Sequence, residues 1–221
     1  EDRGAPGGPG EKPPRANSFT AKIDNEAIDE AAELLKGSCR PVLLVGGGVI
    51  RAGASAAVSD LCKDLSLPSV STLMGLGALP PELPYYLGLT GMHGHKAANM
   101  AISASDLIIA VGTRFSDRIT GDRLRYAEGK AVIHMDIDRA EIDKNINVTL
   151  SLVGDLNWLT DSLRRKIPQN SYVNKCNWLN NIIRWQTEHT YSCENSKLSP
   201  HWMMRHMSAA VGNSSVCWVT D

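Results

Sequence analysis

DLIIAVGTRFSDRITG, residues 106–121, runs from an unbroken apolar segment into a glycine and then into two arginines and an aspartate. An apolar run of this length without alternation reads as a strand covered on both faces, the pattern of a parallel sheet. Four further runs share its form: PVLLVGGG at 41–48, PSVSTL at 68–73, AVIHMDID at 131–138 and TLSLVGD at 149–155. Between them, ASAAVSDLCKDLS and HKAANMAISAS carry the apolar spacing of crossover helices. DNEAIDEAAELLKG opens the series as a helix, with Asp24 as its N-cap and Gly37 at its end, and LNWLTDSLRRK closes it near residue 166. The order strand, helix, strand predicts an α/β domain over residues 18–166, a doubly wound, mostly parallel, Rossmann-like sheet flanked by helices.

The flanks differ in character. Residues 1–17, EDRGAPGGPGEKPPRAN, hold no large apolar side chain and are expected to be a linker or disordered lead. In residues 167–221, WLNNIIRWQTEHT and SPHWMMRHMSAAV read as helices, and VCWVTD reads as a strand of a further domain that the chain enters without completing. Lys plus Arg number 23 against 24 Asp plus Glu, so the charge balance argues against nucleic acid or an anionic membrane as partner. Five cysteines, scattered and without a C-x-x-C pair, suit a reducing cytoplasm better than a disulfide framework. No apolar stretch approaches the roughly 20 residues of a membrane span.

In an open parallel sheet, ligands bind beyond the carboxyl ends of the strands. The residues there are Gly46 to Gly48, Thr72 to Met74, Gly112 to Ser116, Asp136 to Asp138, and Gly154 with Asp155. The glycine triplet permits close backbone approach, either to a phosphate-bearing ligand or simply to a neighbouring turn. It is not a G-x-G-x-x-G fingerprint, because Arg51 stands at the third glycine position. Asp138 and Glu141 have the spacing of a capping box, whereas Asp136, on one strand face with His134, is placed to accept ribose hydroxyls. His93 and His95 form an H-x-H pair with no third ligand at suitable spacing, so a metal is not expected. No complete catalytic constellation is present, and no catalytic residue is expected within the chain.

Taken together, VGGGV, STLMGLGALP, LGLTGMHGHKAAN, DLIIAVGTRFSDRITG, IHMDIDRAEIDKN and the closing GDL resemble, in order and spacing, the central domain of the acetolactate synthase (acetohydroxyacid synthase) large catalytic subunit. The resemblance runs from about Asn25 to Arg165, with a fainter likeness to the third domain through SPHWMMRHMSAAV to VCWVTD. It implies a three-domain enzyme using thiamine diphosphate and Mg2+, which decarboxylates pyruvate and joins the two-carbon unit to pyruvate or 2-oxobutyrate in branched-chain amino-acid synthesis. It further implies a homo-oligomer with a regulatory subunit, and FAD bound by the central domain with no net redox role.

Carried over motif by motif, the flavin contacts fall on Gly47 and Gly48; Thr72, Leu73 and Met74; Thr90, Gly91, Met92 and His93; Gly112, Thr113, Arg114, Phe115 and Ser116; Asp136 and Ile137; and Asp155 with Leu156. Asp117 and Arg118 fall, by the same likeness, on the substrate channel. The family's R-F-D-D-R element has Ser116 in place of one aspartate here, which replaces a charged acceptor by a hydroxyl. The family's thiamine-activating glutamate and its G-D-G motif have no counterpart in the chain: the GD pairs at Gly121 and Gly154 lead into Arg123 and Leu156. The expectation is a piece of the enzyme that is inactive alone. The alternatives are the central domain of a sister thiamine enzyme, of glyoxylate carboligase or oxalyl-CoA decarboxylase type, or a stand-alone nucleotide-binding module.

Overall fold

The computed structural model describes residues 25–169, 177–189 and 200–211. It begins with helix α1 (Asn25–Gly37), whose buried stripe is Ile28, Ala31, Ala32 and Leu35. Strand β1 (Pro41–Val45) follows, buried along its whole length. Then come α2 (Gly47–Arg51), α3 (Ser55–Leu65), β2 (Ser69–Ser71), β3 (Tyr86–Leu89), α4 (Lys96–Ala104) and β4 (Leu107–Val111). Two short helices, α5 (Asp117–Thr120) and α6 (Arg123–Tyr126), lead to β5 (Ala131–Asp136), β6 (Leu150–Val153) and α7 (Leu156–Arg165). Helices α8 (Trp178–Glu188) and α9 (Pro200–Val211) complete the described chain.

All five strand pairings are parallel, and the order across the sheet is β3-β2-β1-β4-β5-β6. The chain therefore reverses its direction of travel between β1 and β4, which opens a crevice at their carboxyl ends. Side chains alternate through the central strands and build two cores. Leu43, Val45, Ile109 and Val111 face α1, α3 and α7, while Val42, Leu44, Ile108 and Ala110 face α4 and α8. Both sides being covered is why these strands read as continuous apolar runs. Asp106, at the entry to β4, accepts the Ser38 hydroxyl and the amides of Cys39 and Arg40, and so ties the start of β1 to the start of β4.

Each strand expected within residues 18–166 is present, shorter than its apolar run where loop residues adjoin it. One strand was not foreseen. β3 has only four residues, contains Gly88 at φ +75° and follows the turn of Pro84 and Tyr85, so neither length nor periodicity reveals it. It exists because an edge of β2 is available to pair with it. The glycine triplet also hides a helix, since α2 starts at Gly47 inside it.

The sequence places α8 beyond the last helix of the α/β unit, but the structure packs it on the sheet. Trp178, Leu179, Ile182 and Trp185 are buried against the α4 face, with the two indoles edge to face at 5.7 Å. The Trp178 indole N–H donates to the Pro41 carbonyl, and the Gln186 amide donates to the Tyr86 carbonyl. The cover of the sheet thus continues past residue 166. The expected lead at 1–17, the Asp24 cap and the closing VCWVTD lie outside the described residues. Among the described residues no helix is long and apolar enough to cross a membrane.

Candidate functional site

Two backbone turns are welded together at the carboxyl ends of β1 and β4. The Gly46 amide donates to the Val111 carbonyl and the Gly48 amide to the Gly112 carbonyl, both at 2.9 Å. The turns lie so close that a Cβ on Gly46 would sit 2.1 Å from the Gly112 oxygen, and one on Gly48 2.6 Å from the Gly112 Cα. Gly112 itself has φ +60°, a conformation side chains rarely adopt. Of the two roles open to the triplet, turn packing accounts for Gly46 and Gly48.

Beside this weld lies a cavity of about 320 Å3. Its walls come from the loops after β1, β2, β3 and β4: Gly46, Gly47 and Arg51; Thr72, Leu73 and Met74; Leu89, Thr90, Met92 and His93; and Gly112, Thr113, Arg114, Ser116, Arg118 and Ile119. Three large apolar side chains stand exposed on it, Leu73 at 65 %, Met74 at 71 % and Met92 at 72 %. Soluble surfaces seldom gather such side chains without something to cover them. The lining includes three arginines and no carboxylate. In its wall the Thr113 hydroxyl is buried with no hydrogen-bond partner among the described residues. That hydroxyl is closed to solvent, so it is an unmet polar atom within the wall and not a group presented to the open cavity.

Local devices hold the loops in place. The Thr72 hydroxyl accepts the Gly75 amide at 3.0 Å and caps the single turn Leu73–Gly75. Asn99 of α4 clamps the loop after β3: its side-chain oxygen accepts the Thr90 hydroxyl and the Gly91 amide, and its NH2 donates to the Gly91 carbonyl. That loop is then joined to α5, because the Met92 amide donates to the Arg118 carbonyl at 2.8 Å. Sequence reasoning missed Asn99, which lies on a helix one turn away from the loop it orders. It also missed Arg51, Leu89 and Ile119 in the lining, although Arg51 was visible as the residue that breaks the glycine fingerprint.

The remaining residues expected at the site lie elsewhere on the same rim or beneath it. Gly91 supports its loop at φ +105°. Phe115 is in the core, with its ring edge-on to His134 at 5.1 Å and to Tyr126 at 6.1 Å. Its backbone, at φ +47°, turns Arg114 outward as Phe115 turns inward. The Arg114 carbonyl accepts the Asn145 amide at 2.7 Å, and its guanidinium stands 3.7 Å from the Glu141 carboxylate. Ile137 is exposed at the end of β5, and Asp136 beside it accepts the Asp138 amide at 3.0 Å. Asp138 caps a short turn by accepting the Ala140 amide, as its spacing suggested. Its own amide goes to Asp136 rather than to Glu141. Asp155 accepts the Trp158 amide as the N-cap of α7, and Leu156 is buried. Asp117 does not line the cavity. Arg123 hydrogen-bonds its carboxylate at 2.6 Å and holds it below the usual carboxylate range. Among the described residues, no group of three or more His, Cys, Asp or Glu side chains could hold a metal ion.

Beneath the rim, His134 is fully buried. Its Nε2 lies 2.9 Å from the Thr113 carbonyl, an acceptor, so Nε2 carries the proton and donates. Burial pushes the imidazole below the ordinary histidine range, and the Thr113 carbonyl with the Asp136, Glu141 and Asp143 carboxylates opposes this without overcoming it. Unfolded histidine titrates near about 6.5, and the folded group titrates lower. The unfolded chain therefore binds the extra proton first, and stability that is complete above about pH 6.5 falls as the pH drops through the folded value. Denaturant titrations between pH 7.5 and 5 should show this loss, and His134→Gln should flatten it. An unchanged slope in the variant would remove His134 from the account.

Comparison with known proteins agrees with this architecture. The thiamine pyrophosphate enzyme central domain matches residues 28–164. The acetolactate synthase isozyme 2 large subunit of Escherichia coli (strain K12) is 42 % identical over 162 residues, covering 73 % of this chain and 30 % of that protein. A probable acetolactate synthase large subunit of Methanocaldococcus jannaschii is 44 % identical over 155 residues, 70 % of this chain and 26 % of the relative. An acetolactate synthase of Mycobacterium leprae is 38 % identical over 216 residues, 94 % of this chain and 33 % of the relative. The chain spans about a third or less of the length of these relatives. With the domain match running from α1 to α7, the chain belongs to the thiamine pyrophosphate enzymes, of which it carries the central domain.

Proposed function

We propose that this chain is the central part of an acetolactate synthase large subunit and that it binds FAD in the cavity beyond β1 to β4. The cavity itself carries the proposal: an apolar, arginine-bearing cleft at the point where the sheet reverses, with Leu73, Met74 and Met92 exposed on it. These residues fit a flavin dinucleotide. Leu73, Met74 and Met92 offer apolar surface to a flat ring, Arg114 offers a planar cation, and Asp136 with Ile137 offers a carboxylate and an apolar face to a ribose and its base. FAD in this role contributes structure to the site and no net electron transfer.

The whole subunit would decarboxylate pyruvate and ligate the two-carbon unit to a second 2-keto acid, as a homo-oligomer with a regulatory subunit. Thiamine diphosphate and Mg2+ would be held by residues outside this chain, so the chain alone should form no acetolactate from pyruvate. Binding is tested by titrating FAD and following quenching of flavin fluorescence. Arg114→Ala should weaken binding about tenfold, in line with loss of one charge-assisted contact. Arg118→Ala should leave it within about twofold. The opposite ranking, or no FAD binding by the wild-type chain, defeats the reading.

A further inference from the structure

One bank of the cavity is made of two pieces, the loop 90–94, which brings Met92 and His93 to the lining, and the one-turn helix α5, which brings Arg118 and Ile119. A helix of four residues is too short to be stable by its own hydrogen bonds and leaves carbonyls without intrahelical partners. The Met92 amide supplies the partner for the Arg118 carbonyl at 2.8 Å. Gly91 packs so closely on this turn that an added Cβ would lie 2.6 Å from the same oxygen. The pose of α5 thus depends on the loop.

The loop in turn depends on Asn99. Backbone bonds tie its ends, Thr90 to Ser71 and His95 to Leu89, and close it on itself from Gly94 to Gly91. Asn99 fastens its middle. The side-chain oxygen accepts the Gly91 amide at 2.8 Å and the NH2 donates to the Gly91 carbonyl at 2.9 Å, so one amide group pairs with both backbone groups of one residue. The oxygen also accepts the Thr90 hydroxyl at 2.9 Å. A side-chain amide is the group that carries donor and acceptor side by side for such a pairing. Asn99 is exposed, so each bond competes with water, and its effect lies in three bonds converging on two adjacent loop residues. Behind it, α4 is anchored in the core by Ala97, Ala98 and Ala101. A line of support therefore runs from the core through α4 and Asn99 to Gly91, Met92 and Arg118, although Asn99 does not itself line the cavity.

We propose that Asn99 is a positioning residue for the cavity's ligand: it locks the loop after β3 and α5 into one bank and so fixes where Met92 and Arg118 stand. The identity of the ligand rests on the FAD reading above, whereas the lock can be tested without it.

The 221-residue chain, its Asn99→Ala variant and, as control, Ser103→Ala one turn along α4 would be compared by amide hydrogen exchange, thermal melts and FAD titration. Alanine is a better helix former than asparagine, so the substitution does not weaken α4 itself, and the melting temperature should move by no more than about 4 °C. The Met92 amide should exchange at least about tenfold faster in Asn99→Ala, while the amides of β4 keep their protection. FAD binding should weaken about fivefold, and Ser103→Ala should change neither quantity. Met92→Ala should cost less affinity in the Asn99→Ala background than in wild type, because the clamp acts through Met92, whereas Leu73→Ala on the loop after β2 should cost the same in both. Unchanged exchange at Met92 overturns the lock. A general loss of protection across the sheet overturns it too, by making Asn99 an ordinary structural residue. Faster exchange at Met92 with FAD affinity unchanged, or additive losses with Met92→Ala, overturns the positioning role and leaves the FAD reading intact. If wild type binds no FAD, the FAD reading is defeated, and the lock is upheld or overturned by the exchange of Met92 alone.

Discussion

Gly46→Ala should destabilise the domain by on the order of 3 kcal/mol, among the severe effects of single substitutions. The backbone of Gly46, at φ −104° and ψ 175°, is one that alanine adopts freely, so the cost is entirely one of space. The new methyl would lie 2.1 Å from the Gly112 oxygen and 2.6 Å from both the Gly112 carbonyl carbon and the Thr113 Cα. All three are backbone atoms and cannot rotate away. Relief requires β1 and β4 to part at their ends, which breaks the hydrogen bonds from Gly46 to Val111 and from Gly48 to Gly112 and moves the wall of the cavity. For a chain of this size the loss corresponds to a fall in melting temperature of roughly 6–12 °C. Gly37→Ala is the control: nothing lies within 4 Å of its added Cβ, and as the last residue of a helix it should be neutral or slightly stabilising. Equal melting temperatures for the two variants would refute the weld.

Phe115→Ala should cost about 3–5 kcal/mol, the usual range for removing a buried phenylalanine side chain. Phe115 is among the largest fully enclosed side chains, and its ring is held edge-on between Tyr126 and His134. The substitution leaves a void under the rim and loosens the Thr113 to Ser116 segment, whose other tethers include His134 on the Thr113 carbonyl, Asn145 on the Arg114 carbonyl and the Ile119 and Thr120 amides on the Ser116 carbonyl. FAD affinity should therefore fall in a variant altered at a residue that does not line the cavity. Phe115→Leu, which retains part of the volume, should lose less of both. Urea denaturation checks the first effect and flavin titration at a temperature where the variant is folded checks the second. A stability loss below about 1 kcal/mol would mean that the ring does not carry the core on this side.

The motif VGTRFSDRITG shows how far residue types lead and where they stop. Its place after a buried parallel strand was readable from DLIIA, and with it the expectation that the following loop borders a ligand. The division of labour inside the loop was not readable. Arg114 and Phe115 are neighbours in sequence, and only a backbone at φ +47° sends one to the cavity mouth and the other into the core. Asp117 and Arg118 appear as one charged pair, yet Asp117 turns to Arg123 while Arg118 lines the cavity. Conversely, Asp138 was readable as a cap because capping involves only its near neighbours in the chain.

What the chain's residues determined alone was the class of fold and most of the strand-end loops that border the cavity, because both follow from local patterns: unbroken apolar runs for strands covered on both faces, and glycine, hydroxyl and charge at their ends. Tertiary structure decided the rest. β3 exists because β2 had an edge to pair with, α8 belongs to the sheet because Trp178 and Trp185 find the α4 face, and Arg51 joins the site because two glycine turns pack backbone to backbone and carry α2 to the cavity. These outcomes depend on contacts between segments separated by tens of residues, and the free energy of such contacts belongs to neither segment by itself.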